Sequence, residues 1–337
     1  MKTLVCTAPG HFEFREDPIP EAGAGRARIR LKRVGICGTD LHAFEGTQPF
    51  FSYPRILGHE LSGELIDAGG AAGFEPGELV TIIPYFSCGT CIACRAGKPN
   101  CCVAINVFGV HVDGGMREEI VVPTSSLLHG QGLNADELAL VEPLAIGAHG
   151  VRRAGVQPGE YVLVIGAGPI GLGTMELARI AGAQVIALDI NTDRLRFCRE
   201  KLGVHSVVNG ADSDAVEQVK AITNGDFPTV VIDATGNLRA INNGIQYLAH
   251  GGRYVLIGLQ KEAFSFSHPE FHKRETTLMS SRNAVKEDFE HVIRSMKAGA
   301  IRPQTYITHM VDFDEVPAQF ASWLNPATGV IKAMVHF

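Results

Sequence analysis

The sequence lacks any long uncharged apolar run. A mostly apolar uncharged stretch such as residues 161–175 is too short and too rich in glycine to span a bilayer. It also lacks a basic excess: 30 Lys+Arg stand against 36 Asp+Glu, a net charge of −6, so nucleic acid is not an expected partner. The opening residues soon meet His11, Glu13 and Arg15, which fits no secretory h-region. The expected setting is the cytoplasm, where thiols stay reduced, and a disulfide framework for the eight cysteines is disfavoured. Internal repeats and low-complexity segments are absent too. The apolar share of 45% and charged share of 20% argue against disorder, and 337 residues suggest about two domains.

Texture changes along the chain. Residues 26–34, 61–67, 79–83 and 119–122 read as antiparallel strands of a small, curved sheet. Five cysteines crowd residues 88–102. Apolar spacing then predicts a helix over 136–154, with Asp136 just ahead of it and Gly155 ending it. Strands at 161–165, 184–189, 206–208, 230–233 and 253–257 alternate with helices at 169–181, 192–202, 215–223 and 238–248. That alternation is the signature of a doubly wound parallel sheet, an α/β fold. The tail carries one clear helix, 286–298, and short strands at its end.

Cys88, Cys91, Cys94 and Cys102 follow C-x2-C-x2-C-x7-C. Such spacing lets four thiolates converge on one ion, and closed all-sulfur sites are structural zinc sites. An iron–sulfur cluster or buried free thiols are the other readings. Cys101 is an alternative fourth ligand, which spacing does not separate from Cys102. Gly166, Gly168 and Gly171 match G-x-G-x-x-G, a weak signal alone among 38 glycines. Here the motif follows a strand and opens a helix, and Asp189 ends the next strand 18 residues past Gly171. That context is the dinucleotide fingerprint, with the pyrophosphate on the helix N-terminus. Asp189 would accept from the adenosine ribose hydroxyls and repel a 2′-phosphate, so NAD is expected over NADP. A tight turn without a ligand is the plainer reading.

Cys37-Gly-Thr39-Asp40-Leu-His42, Gly58-His59-Glu60 and Val141-Glu142-Pro143-Leu144 hold further metal-type donors. Singly, each has a structural explanation. Together, in this order and with the cysteine lobe and glycine loop, they resemble the zinc-containing medium-chain alcohol and polyol dehydrogenases over essentially the whole chain. The resemblance implies a GroES-like β-barrel catalytic domain at 1–147, completed by 284–337, and a Rossmann NAD-binding domain at 148–283. It implies two zinc ions per chain, one catalytic and one structural in the 88–102 lobe. Cys37 and His59 match catalytic zinc ligands, and Glu60 and Glu142 compete for the third place. Asp40 matches a residue that orients His59. Thr39 and His42 match a proton relay that takes the alcohol's proton and releases it through the nicotinamide ribose to solvent. Zinc would stabilise the alkoxide, and hydride would pass to nicotinamide. Ile170, Asp189, Arg194, Ile257, Gly258, Leu259, Ser281, Arg282 and Asn283 match dinucleotide contacts. Family members are dimers or tetramers, so a homo-oligomer is implied.

The substrate signal is thinner. Glu142 and the polar segment 46–50 suggest a hydroxylated small molecule over a long apolar alcohol. Segments 48–55, 109–115, 233–237 and 270–277 resemble bacterial sugar-acid dehydrogenases of the L-galactonate type. That implies oxidation of a secondary alcohol of an aldonate to a keto-acid, with His111 and Arg282 as candidate substrate contacts. A guanidinium such as Arg282 can fork onto a carboxylate or only close the cofactor site. A neutral-polyol dehydrogenase of the sorbitol type, an L-threonine dehydrogenase and a non-catalytic NAD-binding protein are the rival readings.

Overall fold

The computed structural model describes residues 1–49 and 51–337. Phe50, which belongs to the segments 46–50 and 48–55, lies outside the described residues. The chain forms two compact units, Met1–Pro143 with Val285–Phe337, and Leu144–Ala284. Among the described residues no helix is long and apolar enough to cross a membrane.

The first unit is built on the long strand Arg26–Gly35. Its inward side chains Ala27, Ile29, Leu31 and Val34 are at most 2% exposed. Burial of an aliphatic side chain of this size stabilises by about 1.5–3 kcal/mol. The strand pairs antiparallel with Glu60–Asp67, with Glu119–Pro123 and with Lys332–His336. Leu79–Ile82, Leu127–His129 and Ile307–Asp312 complete a seven-stranded sheet. The last of these runs parallel to Lys332–His336. A separate hairpin, Lys2–Ala8 with His11–Glu16, packs Phe12 and Phe14 on the same core.

The second unit is a six-stranded parallel sheet. Its order is Ser206–Asn209, Gln184–Asp189, Tyr161–Ile165, Val230–Asp233, Arg253–Leu256 and Thr277–Ser280. The first strand in sequence thus lies mid-sheet and the order reverses there, which is the doubly wound arrangement. Val162, Leu163, Val164, Val230, Val231 and Ile232 are all 0% exposed. Strands covered on both faces need apolar side chains at every position, so they read as unbroken runs rather than alternations.

Two local readings change. The apolar stretch at 136–154 is two helices, Ala135–Ala139 and Val141–Ala154, because Leu140 ends the first. Its start is set by Asn134, whose side chain accepts from Glu137 N at 3.0 Å while Glu137 accepts from Asn134 N at 2.8 Å. This reciprocal cap satisfies two orphan donors. Asp136 is not ahead of the helix but in its first turn, paired with Arg33 at 2.5 Å.

Candidate functional site

In the first unit, strand pairing assembles a compact donor set. Cys37 follows the strand Arg26–Gly35 and stands at the start of helix Gly38–Glu45. His59 immediately precedes the strand Glu60–Asp67, whose first residue pairs with Gly35. Any Cβ on Gly35 would lie 2.2 Å from a Glu60 carboxylate oxygen, so only glycine admits Glu60 here. The donor atoms of Cys37, His59 and Glu60 all lie within 4.8 Å of one another. His59 and Glu60 are 5% and 0% exposed.

Asp40 braces this set. Its carboxylate accepts from Cys37 N at 2.9 Å and Gly58 N at 3.1 Å, clamping the two segments that carry the donors. Its Oδ1 is 3.8 Å from His59 Nδ1, beyond hydrogen-bond length, and that buried nitrogen has no partner among the described residues. Asp40 therefore acts on His59 through charge rather than a direct bond. Burial alone would push the His59 imidazole down. The charge of Asp40 and contact with Cys37 outweigh it and hold His59 well above its ordinary value. The field that keeps a proton there equally favours a metal cation.

Glu60 faces a second cation. Lys332 Nζ donates to both Glu60 oxygens at 2.6 Å and to Ile36 O at 3.0 Å, with side chains 2% and 0% exposed. Burial would lower the Lys332 ammonium, but the Glu60 charge more than reverses that. Glu142, 4% exposed in the first turn of Val141–Ala154, accepts a hydrogen bond from the Tyr85 hydroxyl. Burial pushes its carboxyl up to about 7; His59 opposes the rise and Glu60 adds to it. Glu142 stands outside the 4.8 Å set. One sulfur, one nitrogen and one oxygen donor, in a field that favours a cation, fit a zinc that keeps an open position. Thr39 and His42 lie one turn apart on helix Gly38–Glu45, Thr39 half-buried and His42 exposed.

The four-cysteine lobe is local. Cys91 starts the short helix Ile92–Arg95, and its sulfur is 3.5 Å from that of Cys94. Cys88 N donates to Cys102 Sγ at 3.3 Å, and all four sulfurs lie within 4.8 Å. Cys102 is 1% exposed, whereas Cys101 is exposed and outside the set. Donors from Thr90, backbone first, pull the Cys88 thiol down to about 6. A closed four-sulfur cage with a readily ionised member fits a structural zinc. Elsewhere in this unit, His111 Nδ1 accepts from Val107 N at 3.0 Å, which places its proton on Nε2.

In the second unit, the sequence-predicted dinucleotide residues gather at the C-terminal edge of the parallel sheet. Gly166–Gly171 follow Tyr161–Ile165, and Gly168 starts helix Pro169–Ile180. A Cβ on Gly171 would stand 1.8 Å from Gly166 O, so the turn closes only with glycine. Asp189 ends the adjacent strand, and its oxygens accept from Ala167 N at 2.6 Å and Asn191 N at 2.8 Å. The carboxylate is thereby fixed beside the loop. Arg194 brings a guanidinium nitrogen 3.7 Å from where a Gly168 Cβ would sit. Ile170 is half-buried. Ile257, Gly258 and Leu259 follow Arg253–Leu256, and Leu259 is 65% exposed. Ser281, Arg282 and Asn283 follow the edge strand Thr277–Ser280, with Ser281 buried and Arg282 exposed. In open α/β sheets this edge is where ligands bind.

Sequence reasoning missed Lys332 and Tyr85. Lys332 had a signal, a lone charge inside the otherwise apolar strand Lys332–His336 and its approach. Tyr85 had none, since only the fold brings it to Glu142.

Residues 23–131 match the alcohol dehydrogenase GroES-like domain, and residues 169–298 match the zinc-binding dehydrogenase domain. The chain is 43% identical over 338 residues to L-galactonate-5-dehydrogenase of Escherichia coli K12, covering 100% of this chain and 99% of that one. It superposes on a short chain alcohol dehydrogenase of Escherichia coli CFT073 solved with NADH, with a TM-score of 0.92 and 31% identity, covering 100% and 99% of the two chains. A Sinorhizobium meliloti 1021 structure solved with NADP gives a TM-score of 0.91 at 30% identity, covering 100% and 99%. The GroES-like and Rossmann architecture and these relatives agree: the chain belongs to the zinc-type medium-chain alcohol dehydrogenase family and is a dehydrogenase.

Proposed function

We propose that this protein oxidises a secondary alcohol of a sugar acid of the L-galactonate type to a keto-acid, using NAD. The observation that carries the reading is 43% identity over the full chain with L-galactonate-5-dehydrogenase. A half-buried thiol grouped with a buried imidazole and a buried carboxylate supports the same chemistry. In this reading Cys37, His59 and Glu60 hold the catalytic zinc, with Glu142 beside them. Zinc, when bound, supplies Lewis acidity that favours the ionised alcohol, and NAD accepts the hydride.

The chain's own residues supply the rest. Asp40 and Lys332 fix the donors in place. Thr39 would accept the substrate hydroxyl's proton while passing its own toward the nicotinamide ribose, from which His42, exposed one turn on, would release it to solvent. Gly166, Gly168 and Gly171 let the backbone and helix N-terminus approach a pyrophosphate, and Arg194 adds a cation. The fixed Asp189 carboxylate accepts from ribose hydroxyls and disfavours a 2′-phosphate, which supports NAD over NADP. Ile170, Ile257, Gly258, Leu259, Ser281 and Arg282 complete the cofactor contacts. His111, donating from Nε2, and Arg282, forking onto a carboxylate, are the substrate contacts. Cys88, Cys91, Cys94 and Cys102 hold the structural zinc. Eight unpaired cysteines suit a reducing cytoplasm.

The test is NADH formation by zinc-loaded protein on L-galactonate and other aldonates, matched neutral polyols and L-threonine. Turnover confined to aldonates is the expected result. Turnover on neutral polyols or L-threonine instead overturns the substrate assignment, and silence on every substrate overturns the catalytic reading.

A further inference from the structure

The hydrogen bond from Tyr85 to Glu142 serves none of the roles above. Tyr85 lies in the short strand Tyr85–Phe86, which pairs with Asn106–Val107. Its ring meets the fully buried Phe289 edge-on, with centroids 6.1 Å apart. Ladder and ring contact together aim the hydroxyl at one acceptor, Glu142 Oε1.

Two buried carboxylates, Glu60 and Glu142, face one cation site. Each has its own anchor. Lys332 holds Glu60 through both carboxylate oxygens, and a Glu60 oxygen still joins Cys37 and His59 within 4.8 Å. Tyr85 holds Glu142, which stays outside that set. A carboxylate oxygen that accepts a hydrogen bond from a phenol is tethered in that direction, and the tether holds Glu142 where it does not join the donor set. Were Glu142 released, it could add a fourth protein donor and close the site. Catalytic zinc sites keep three protein ligands and one open position, whereas structural sites are closed.

We propose that Tyr85 is a positioning residue whose hydroxyl keeps Glu142 off the metal, leaving the third protein ligand to Glu60 and the fourth position open. The inference rests on the reading of Cys37, His59 and Glu60 as the catalytic metal site. Tyr85 thereby separates two acids that the sequence presents as equivalent.

The test uses the full-length protein with Co²⁺ in place of zinc. Tyr85→Phe keeps the ring and its contact with Phe289 and removes only the hydroxyl. The visible cobalt absorption is expected to shift as Glu142 enters. Release of the metal to a chelator should slow by about tenfold, the lower range for changes in the groups around a metal site. Adding Glu142→Gln to Tyr85→Phe should return both readouts to the parent values. An unchanged cobalt spectrum and release rate in Tyr85→Phe overturns the proposal, even if thermal stability falls. Glu60→Gln separates the two levels: if it leaves the spectrum and release unaltered, the ligand set itself is wrong, whatever Tyr85 does.

Discussion

The four-cysteine lobe and the Cys37–His59–Glu60 set, the two proposed zinc sites, are assembled by opposite routes. The lobe is drawn from one short segment, Cys88 to Cys102, and its geometry is closed by a few turns of chain. The Cys37–His59–Glu60 set is drawn from the ends of two strands and held by a third, since its carboxylate is secured by Lys332, 272 residues away. A local cage depends on spacing. An assembled site depends on register, and a one-residue slip of Glu60–Asp67 against Arg26–Gly35 would turn Glu60 to the other face. The lobe should therefore respond to mutation mainly in stability, and the assembled set mainly in chemistry.

The largest expected effect is on turnover. Cys37→Ser should lower kcat by more than about a hundredfold, the upper end of what outer partners of a metal cost. NAD binding by the separate sheet edge should be unaffected, as read by nucleotide fluorescence. Retained turnover would remove Cys37 from the chemistry.

Lys332→Met leaves Glu60 as a buried charge without its partner, which costs about 3–5 kcal/mol. Denaturant titration should show the full loss in zinc-stripped protein and a smaller one in zinc-loaded protein, where the metal replaces the ammonium. Equal losses would mean that Glu60 does not face the metal.

Cys91→Ser should cost about 2–3 kcal/mol of stability, because a closed zinc site contributes directly to folding. Thermal unfolding would report it, while kcat per folded molecule stays near the parent value. Normal stability with no zinc in the lobe would contradict its structural role.

The smallest effect is a control in the second unit, far from either cluster in sequence. Burial would raise the Glu160 carboxyl, but Gln157 N, Thr229 and Arg253 outweigh it and hold it below its ordinary value. A depressed folded value means that its stabilisation is present above the unfolded carboxylate range and is lost as pH falls through the folded value. Glu160→Gln should cost about 1–2 kcal/mol at pH 7 and less near pH 3. A cost that does not shrink on acidification would place the effect in packing.

The same contrast explains what could be read from sequence. Tyr161–Ile165, Gln184–Asp189 and Val230–Asp233 are found with their predicted bounds, because central parallel strands bury both faces and spell continuous apolar runs. The hairpin Lys2–Ala8 and His11–Glu16 was not anticipated. Its second strand hides Phe12 and Phe14 between charged neighbours, and six residues of alternation carry little signal. The break at Leu140 was invisible because apolar spacing continues across it. The choice between Cys101 and Cys102 needed three dimensions, where one is exposed and the other buried. Cys37 and His59 were legible through resemblance, which left Glu60 and Glu142 as alternatives, and Tyr85 and Lys332 make contacts that no local spacing encodes.

The most direct measurement is elemental zinc analysis of the purified protein, Cys37→Ser and Cys91→Ser, each after removal of loosely held metal. Two zinc ions per chain are expected in the parent and one in each variant, with the larger loss of stability in Cys91→Ser. A parent with one zinc, or a Cys37→Ser variant that keeps two, would contradict the assignment of Cys37, His59 and Glu60 as a metal centre.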